Sequence, residues 1–422
     1  MLNFKEDAKF ASKYEIDILN KLTNLGLKYD DLVLLEKLSG EDYRKRVYID
    51  KNTQIGFLEY DLLDLDWKFI PTPYFYMLKK DSEIIEINHT KRRLKGKYLP
   101  DNLVKDEYLQ KYNEILLKKD TIYQPFLMRD AILLGIKRNG RFKIKDIKRK
   151  VPINIKTRDN FIKDNLKHLE KMVIHSKNIL KEYIDKYKRR GYVINVSFSG
   201  GKDSAVSTLL TKDILKDVDV IFIDTHLEYD DTLKYVDKFA KEYDLNLYTV
   251  EGGNFWEYLD KEGIPTKDNR WCNSVCKLNL LRDFFKEMYP NKKILTIDGS
   301  RKFESFSRAK LGYIRKSSFI PFQTNLFPIL DWNSLDVWMY IYHNNILYNP
   351  LYDEGFERIG CYLCPSALNS EFLRVKELYP DLWNKWVMYL KKYYSEDEIL
   401  RGFWRWNNLP PKMNEIKKLL EL

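Results

Sequence analysis

The sequence predicts an α/β fold, a parallel sheet with helices on both faces, preceded by a smaller α+β domain. Three observations carry that prediction. Beyond residue 191, short continuous apolar runs at 192–198, 218–223, 245–250 and 293–297 alternate with stretches of helical periodicity. Strands covered on both sides read this way, because neither face meets water. At 193–198 one such run passes through a glycine turn into a helical pattern at 204–215, whose Ala205, Val206, Leu209 and Leu210 face inward. Before residue 150 the pattern is different: charged helical periodicity near 6–25 gives way to two-residue alternation at 48–50, 54–60 and 67–71, as half-buried strands require.

The chain has 422 residues, 44% hydrophobic and 32% charged. That balance belongs to a globular protein of two or three domains at roughly 100 to 200 residues each. No apolar run reaches the roughly 18 residues of a membrane span, and residues 1–13 carry charge where a signal peptide has its apolar core. A cytoplasmic protein without a membrane partner is expected. The net charge of +11 favours a polyanionic partner or an anionic substrate, although a lysine-rich genome or a hot habitat produces the same balance.

The organisation expected is an accessory α+β region over 1–150, a basic helical connector over 151–190, a nucleotide-binding domain over 191–390 and a helical tail over 391–422. The connector reads as one long helix from 157 to 190, with an apolar stripe at Phe161, Leu166, Leu169, Met172, Val173, Ile179, Leu180 and Tyr183. Runs at 94–99 and 130–136 flank a lysine-rich stretch. From about residue 84 they resemble a PUA-like RNA-binding barrel.

The turn after the first buried strand reads Ser199-Gly200-Gly201-Lys202-Asp203-Ser204. It sits at a helix N-terminus, where unpaired amides and the helix dipole attract phosphate or sulfate, and the glycines admit close backbone approach. The spacing differs from a Walker A loop. It resembles the signature of the PP-loop, adenine nucleotide alpha hydrolase-like superfamily, with Lys202 in the variable position. Within that superfamily the chain is similar to the PAPS reductase-like family over about 191–386. The resemblance implies that Ser199 to Ser204, Asp224, Thr225, Gly299 and Arg301 bind an adenine nucleotide, whether APS, PAPS or ATP, with Mg2+ if ATP is the substrate. His226 stands where the family usually has glycine and is expected to be an accommodated loop residue.

Gly299-Ser300-Arg301-Lys302-Phe303-Glu304-Ser305 and Arg308 follow a late strand and resemble another family segment. An arginine fork grips phosphate or sulfate oxygens in pairs. Lys202, Asp203, Arg301, Glu304 and Arg308 are therefore the candidate catalytic set, with Glu304 expected to orient Arg301. Trp332, Trp338 and Tyr340 are expected in the core.

The four cysteines fall into two pairs, Cys272 with Cys276 and Cys361 with Cys364. So few thiols, so clustered, read as a metal site before a disulfide framework. The arrangement resembles cluster-bearing members of the family, which implies a 4Fe-4S cluster held by all four, with zinc as the alternative. The family's leading pair is usually adjacent, and here three residues separate it.

The resemblance implies reduction of adenylyl sulfate, APS or PAPS, to sulfite with an external electron donor. No cysteine follows Cys364, so the family's C-terminal nucleophile has no counterpart here. The alternatives are an ATP-dependent tRNA sulfurtransferase with an external sulfur donor, and a non-catalytic nucleotide- or RNA-binding module. The sequence carries no indication of oligomeric state.

Overall fold

A computed structural model describes residues 6–38, 40–79, 81–118 and 122–421. Among the described residues, fifteen strands form three sheets. In the first, β1 (Ala8–Phe10), β2 (Leu34–Leu38), β3 (Glu41–Tyr48), β4 (Gln54–Asp61) and β5 (Asp66–Pro71) lie in sequence order and all pair antiparallel. In the second, β6 (Ile85–Glu86), β7 (Tyr123–Met128), β8 (Ala131–Arg138) and β9 (Arg141–Arg149) follow the same order, with only β6 parallel to its neighbour. The accessory region thus contains two sheets with separate cores. Ile16, Leu19, Val47, Ile55 and Leu58 fill one; Ile85, Leu99, Phe126, Phe142 and Ile144 fill the other.

The segment expected to open the chain as a helix starts instead as the edge strand β1. The helix Lys13–Thr23 begins only at Ser12, whose side chain accepts from the Glu15 amide while Glu15 accepts from the Ser12 amide.

The third sheet has the order β12 (Asn246–Glu251), β11 (Asp219–Asp224), β10 (Val193–Ser197), β13 (Ile294–Ile297), β15 (Gln323–Leu326) and β14 (Ile314–Lys316). All neighbours are parallel except β14. The four apolar runs at 192–198, 218–223, 245–250 and 293–297 fall on β10, β11, β12 and β13. Strand order reverses at β10, from which the chain proceeds first to β11 on one side and later to β13 on the other. Open parallel sheets place ligands at the carboxyl ends of such strands.

The expected helix over 157–190 is two helices, Arg158–Asp164 and Leu166–Lys188. Asn165 breaks it: its amide donates to Ile162 O at 3.0 Å and its Nδ2 to Phe161 O at 2.7 Å, so it takes carbonyls that a continuing helix would use. The apolar stripe of the pair packs inward. Leu169, Ile179, Leu180 and Ile184 belong to the core under the parallel sheet, and Ser176 accepts from Trp332 Nε1 at 2.9 Å. Trp332 and Trp338 are buried there too, and Tyr340 packs against them.

The C-terminal segment returns to the beginning of the chain. Phe403, Met413 and Ile416 complete the core of the first sheet. Among the described residues no helix is long and apolar enough to cross a membrane.

Candidate functional site: a cleft between the first sheet and the phosphate loop

The turn from β10 into the helix Lys202–Lys212 is held by one hydroxyl. Ser204 Oγ donates to Gly201 O at 2.9 Å and therefore accepts from both the Ser199 amide and the Ser199 hydroxyl, each at 3.1 Å. Gly200 has φ +73°, and a Cβ there would lie 2.9 Å from Thr232 Cγ2, so the position requires glycine twice over. Asn349 Nδ2 bridges Gly200 O and Thr232 Oγ1 at 3.3 and 3.0 Å. The loop leaves only a narrow path for the next segment: a Cβ on Gly299 would meet the Asp203 carbonyl group at 2.7 Å.

These pieces line one end of a cavity of about 830 Å³. Ser199, Gly201, Lys202, Asp203 and Ser204 meet Gly299, Arg301, Glu304 and Arg308 there. The opposite wall comes from the first sheet and includes Asp7, Lys9, Lys37 and Lys45.

Arg301 is only 2% exposed and its guanidinium is occupied. Nη1 and Nη2 reach Asp7 at 3.0 and 3.2 Å, and Nε lies 2.7 Å from Asp203 Oδ1. Arg301 Nε and Asp203 Oδ1 are buried without an aligned hydrogen bond, so this last contact is charge against charge. The fork expected to hold phosphate thus holds carboxylates. Asp7 Oδ1 also accepts from the Ser334 amide at 2.6 Å, at the N-terminus of the helix Ser334–His343. Glu304 accepts from the Arg301 backbone amide at 2.8 Å and pairs with Arg308, so it fixes the turn and leaves the guanidinium to Asp7 and Asp203.

Lys202 is buried, with Nζ 2.7 Å from Asp203 Oδ2, and its amide donates to the Tyr352 hydroxyl at 3.0 Å. Burial pushes its ammonium below the ordinary lysine range; Asp203 opposes this and Arg301 adds to it. For Asp203, burial works against ionisation, but Arg301 and Lys202 overcome it and hold the carboxyl below its usual range.

Asp224 and Thr225, at the end of β11, are not brought to this cavity. Asp224 Oδ1 accepts from the His226 amide at 2.7 Å, and Thr225 is buried against Glu228, which accepts from its amide at 2.8 Å. His226 has φ +58° and a side chain 61% exposed. The backbone there has the conformation that favours glycine, which explains why that residue type is usual at this turn.

A second cluster joins the first sheet to the cysteine region. Lys45, 4% exposed, sits 2.7 Å from Glu15 Oε1 and pairs with Glu357. Lys9 reaches Glu15 at 2.7 Å, and Lys37 reaches Glu357 at 3.1 Å. Burial alone raises Glu15, yet Lys45 and Lys9 hold it down at about 2. None of Asp7, Lys9, Lys37 and Lys45 belongs to a local motif, and no signal near them in sequence points to the cavity.

The cysteines carry free thiols. Cys361 and Cys364 share a tight turn, the Cys364 amide donating to Cys361 O at 3.1 Å. Cys272 and Cys276 lie where the helical turn Trp271–Asn273 widens into a π-helical turn, Ser274–Leu278. Such turns recur at functional sites. Cys276 is buried with Trp271, Phe255, Tyr362 and Trp386, and Cys272 and Cys361 pack on the same cluster. Among the described residues no three His, Cys, Asp or Glu side chains form a group that holds a metal ion. Four thiolates suit a structural zinc and an iron–sulfur cluster alike. Arg358, Ile359, Ser366 and Leu368, which bracket Cys361 and Cys364, also line the cavity.

A glycine-rich anion loop at the switch point of a parallel α/β sheet defines a nucleotide-binding protein of the PP-loop class. The sequence profile described as the phosphoadenosine phosphosulfate reductase domain matches residues 193–367. The chain is 53% identical over 417 residues to "Uncharacterized protein MJ0973" of Methanocaldococcus jannaschii, covering 98% of each. It is 31% identical over 439 residues to "Uncharacterized protein MJ0066" of the same organism, covering 95% of this chain and 90% of that one. Similarity to the adenosine 5'-phosphosulfate reductase of Geobacillus sp. (strain WCH70) is 28% over 182 residues, 42% of this chain and 74% of that one. Among solved structures, the PAPS reductase from Candida auris is 21% identical over 48% of this chain and 96% of that chain, with a TM-score of 0.37. The chain belongs to the PAPS reductase-like family of PP-loop proteins.

Proposed function

We propose that the chain reduces adenylyl sulfate to sulfite, releasing AMP from APS or its 3'-phosphorylated form from PAPS. One observation carries this reading: a single cavity is lined both by the phosphate loop and by residues that flank the Cys361–Cys364 turn. An adenine nucleotide bound by the loop would share the cavity with the residues on either side of that turn. The similarity to adenosine 5'-phosphosulfate reductases over the catalytic region supports the same chemistry.

In this reading the amides of the loop and the positive end of the helix Lys202–Lys212 hold the phosphate of the nucleotide. Lys202, Lys302 and Arg308 on the cavity wall balance the anionic charge of the substrate. Gly299, pressed against Asp203, keeps the loop in place, and the Arg301 to Asp7 pair closes the cavity from the first sheet.

An external dithiol supplies the electrons. One thiolate attacks the sulfonate sulfur, the bond from sulfur to the phosphate oxygen breaks, and the nucleotide leaves with that electron pair. The second thiol attacks the sulfur of the donor in the S-sulfonate; the donor becomes a disulfide and sulfite departs. Two thiols are oxidised and one sulfur is reduced by two electrons. Cys272, Cys276, Cys361 and Cys364 would hold an iron–sulfur cluster, which supplies redox capacity and a fixed charge beside the cavity.

Anaerobically prepared protein given a dithiol and, separately, labelled APS, labelled PAPS, or ATP with bulk tRNA distinguishes the alternatives. Sulfite from APS or PAPS without RNA is expected. AMP formation that depends on tRNA, with no sulfite from either ester, would overturn the reading in favour of RNA sulfur transfer.

A further inference from the structure

The positive charge of this chain is not spread over it. Residues 85–150 contain 18 Lys and Arg against eight Asp and Glu, whereas the whole chain has 73 against 62. Nearly all of the +11 therefore resides in the second sheet and its loops, and the remainder of the chain is close to neutral. A lysine-rich genome or a hot habitat enriches a whole sequence and does not account for charge confined to one small unit.

The register of that sheet shows where the charge goes. Phe142 and Ile144 of β9 are fully buried in the unit's core, so the alternate residues Arg141, Lys143 and Lys145 emerge on the opposite face. Opposite them on β8, Arg138 pairs in register with Arg141 and Ile136 with Lys143; on β7, Tyr123 stands opposite Ile136. The loop before the helix Leu109–Leu117 adds a further edge, with Tyr98 bridged to Lys143. The face thus runs from Tyr123 to Tyr98 with bases between them. The Arg141 guanidinium lies 5.4 Å from the centre of the Tyr98 ring, and Tyr98 is 37% exposed.

Among the described residues, Arg138, Arg141, Lys143 and Lys145 have no ion-pair partner. Lys145 is held below the ordinary lysine range, by burial first and then by Arg44, with Arg138 adding to it and Asp146 opposing. A surplus of like charge favours an anionic occupant. An anionic membrane surface satisfies charge alone, whereas the exposed Tyr98 ring set among bases matches unpaired nucleotides, which stack on aromatic and guanidinium planes while their phosphates meet the cations.

We infer that the sheet face bearing Tyr98, Arg138, Arg141, Lys143 and Lys145 docks single-stranded RNA. This surface is separate from the nucleotide cavity, none of whose lining residues it shares. Its test is independent of the reductase reading.

Full-length protein is titrated with a labelled unstructured RNA of about 20 nucleotides, with DNA of the same sequence, and with vesicles of acidic phospholipid. RNA binding that weakens steeply from about 50 to about 200 mM salt is expected. The triple variant Arg138→Glu, Arg141→Glu, Lys143→Glu should lose at least about 100-fold in affinity and flatten the salt dependence. Tyr98→Ala should lose about fivefold or more with the salt slope unchanged. Both variants change exposed or half-buried positions, and adenine nucleotide binding serves as the control for folding. Wild-type RNA affinity in the folded triple variant would overturn the inference, as would binding of the vesicles or of DNA in preference to RNA.

Discussion

Asp7 and Arg301 form a two-pronged ion pair at 3.0 and 3.2 Å across 294 residues of sequence. The pair brings an edge strand of the first sheet onto the phosphate loop, because Arg301 also touches Asp203. Asp7→Asn leaves the buried guanidinium with Asp203 alone. Breaking one side of a buried pair costs about 3 kcal/mol, so a clear drop in the urea midpoint is expected. A loss below about 0.5 kcal/mol would mean that the contact behaves as a surface pair does.

Gly299 is a second point of control over the loop. An alanine methyl there would lie 2.7 Å from the carbonyl group of Asp203 and 2.8 Å from the Ser204 amide, both backbone. Because backbone at a helix N-terminus cannot yield cheaply, Gly299→Ala should displace the loop. Calorimetric titration with an adenine nucleotide should show at least about tenfold weaker binding, or about 1.4 kcal/mol, while the far-ultraviolet circular dichroism stays unchanged. Unaltered affinity would contradict the placement of the nucleotide against this loop.

Glu15 and its lysines give the structure an acid-sensitive joint. A carboxyl held at about 2 in the folded protein, against an ordinary 4.5, contributes stability that is present above the ordinary value and lost as pH falls toward 2. The contribution is about 3 kcal/mol at neutral pH. Glu15→Gln should be less stable at pH 7 and show a shallower loss of stability between pH 5 and 3 in urea titrations. An identical pH slope in the variant would contradict the role given to Lys45 and Lys9.

The parts of this site visible in the sequence are those made by neighbours in the chain. Ser199 to Ser204 is a strand, a turn and a helix start, and local chemistry suffices to read it. The Gly299 to Arg308 segment was legible for the same reason, although the partner of Arg301 was not: Asp7 comes from another sheet, and nothing around it distinguishes it from a surface aspartate. The Lys9, Lys37 and Lys45 wall was hidden likewise, since antiparallel register brings β1, β2 and β3 together only after folding. The break at Asn165 was missed because the apolar stripe runs through it, and a periodic pattern does not register a side chain that caps the turn beneath it.

The central claim is that one cavity couples the phosphate loop to sulfur reduction. The most direct measurement is the ratio of sulfite to released nucleotide under anaerobic turnover with a dithiol, for the wild type and for Lys202→Ala. The account predicts a one-to-one ratio from APS or PAPS in the wild type and a rate at least about 100-fold lower in the variant, as expected when a charge-stabilising contact is removed. Nucleotide release without sulfite, or sulfite production indifferent to Lys202, would contradict it.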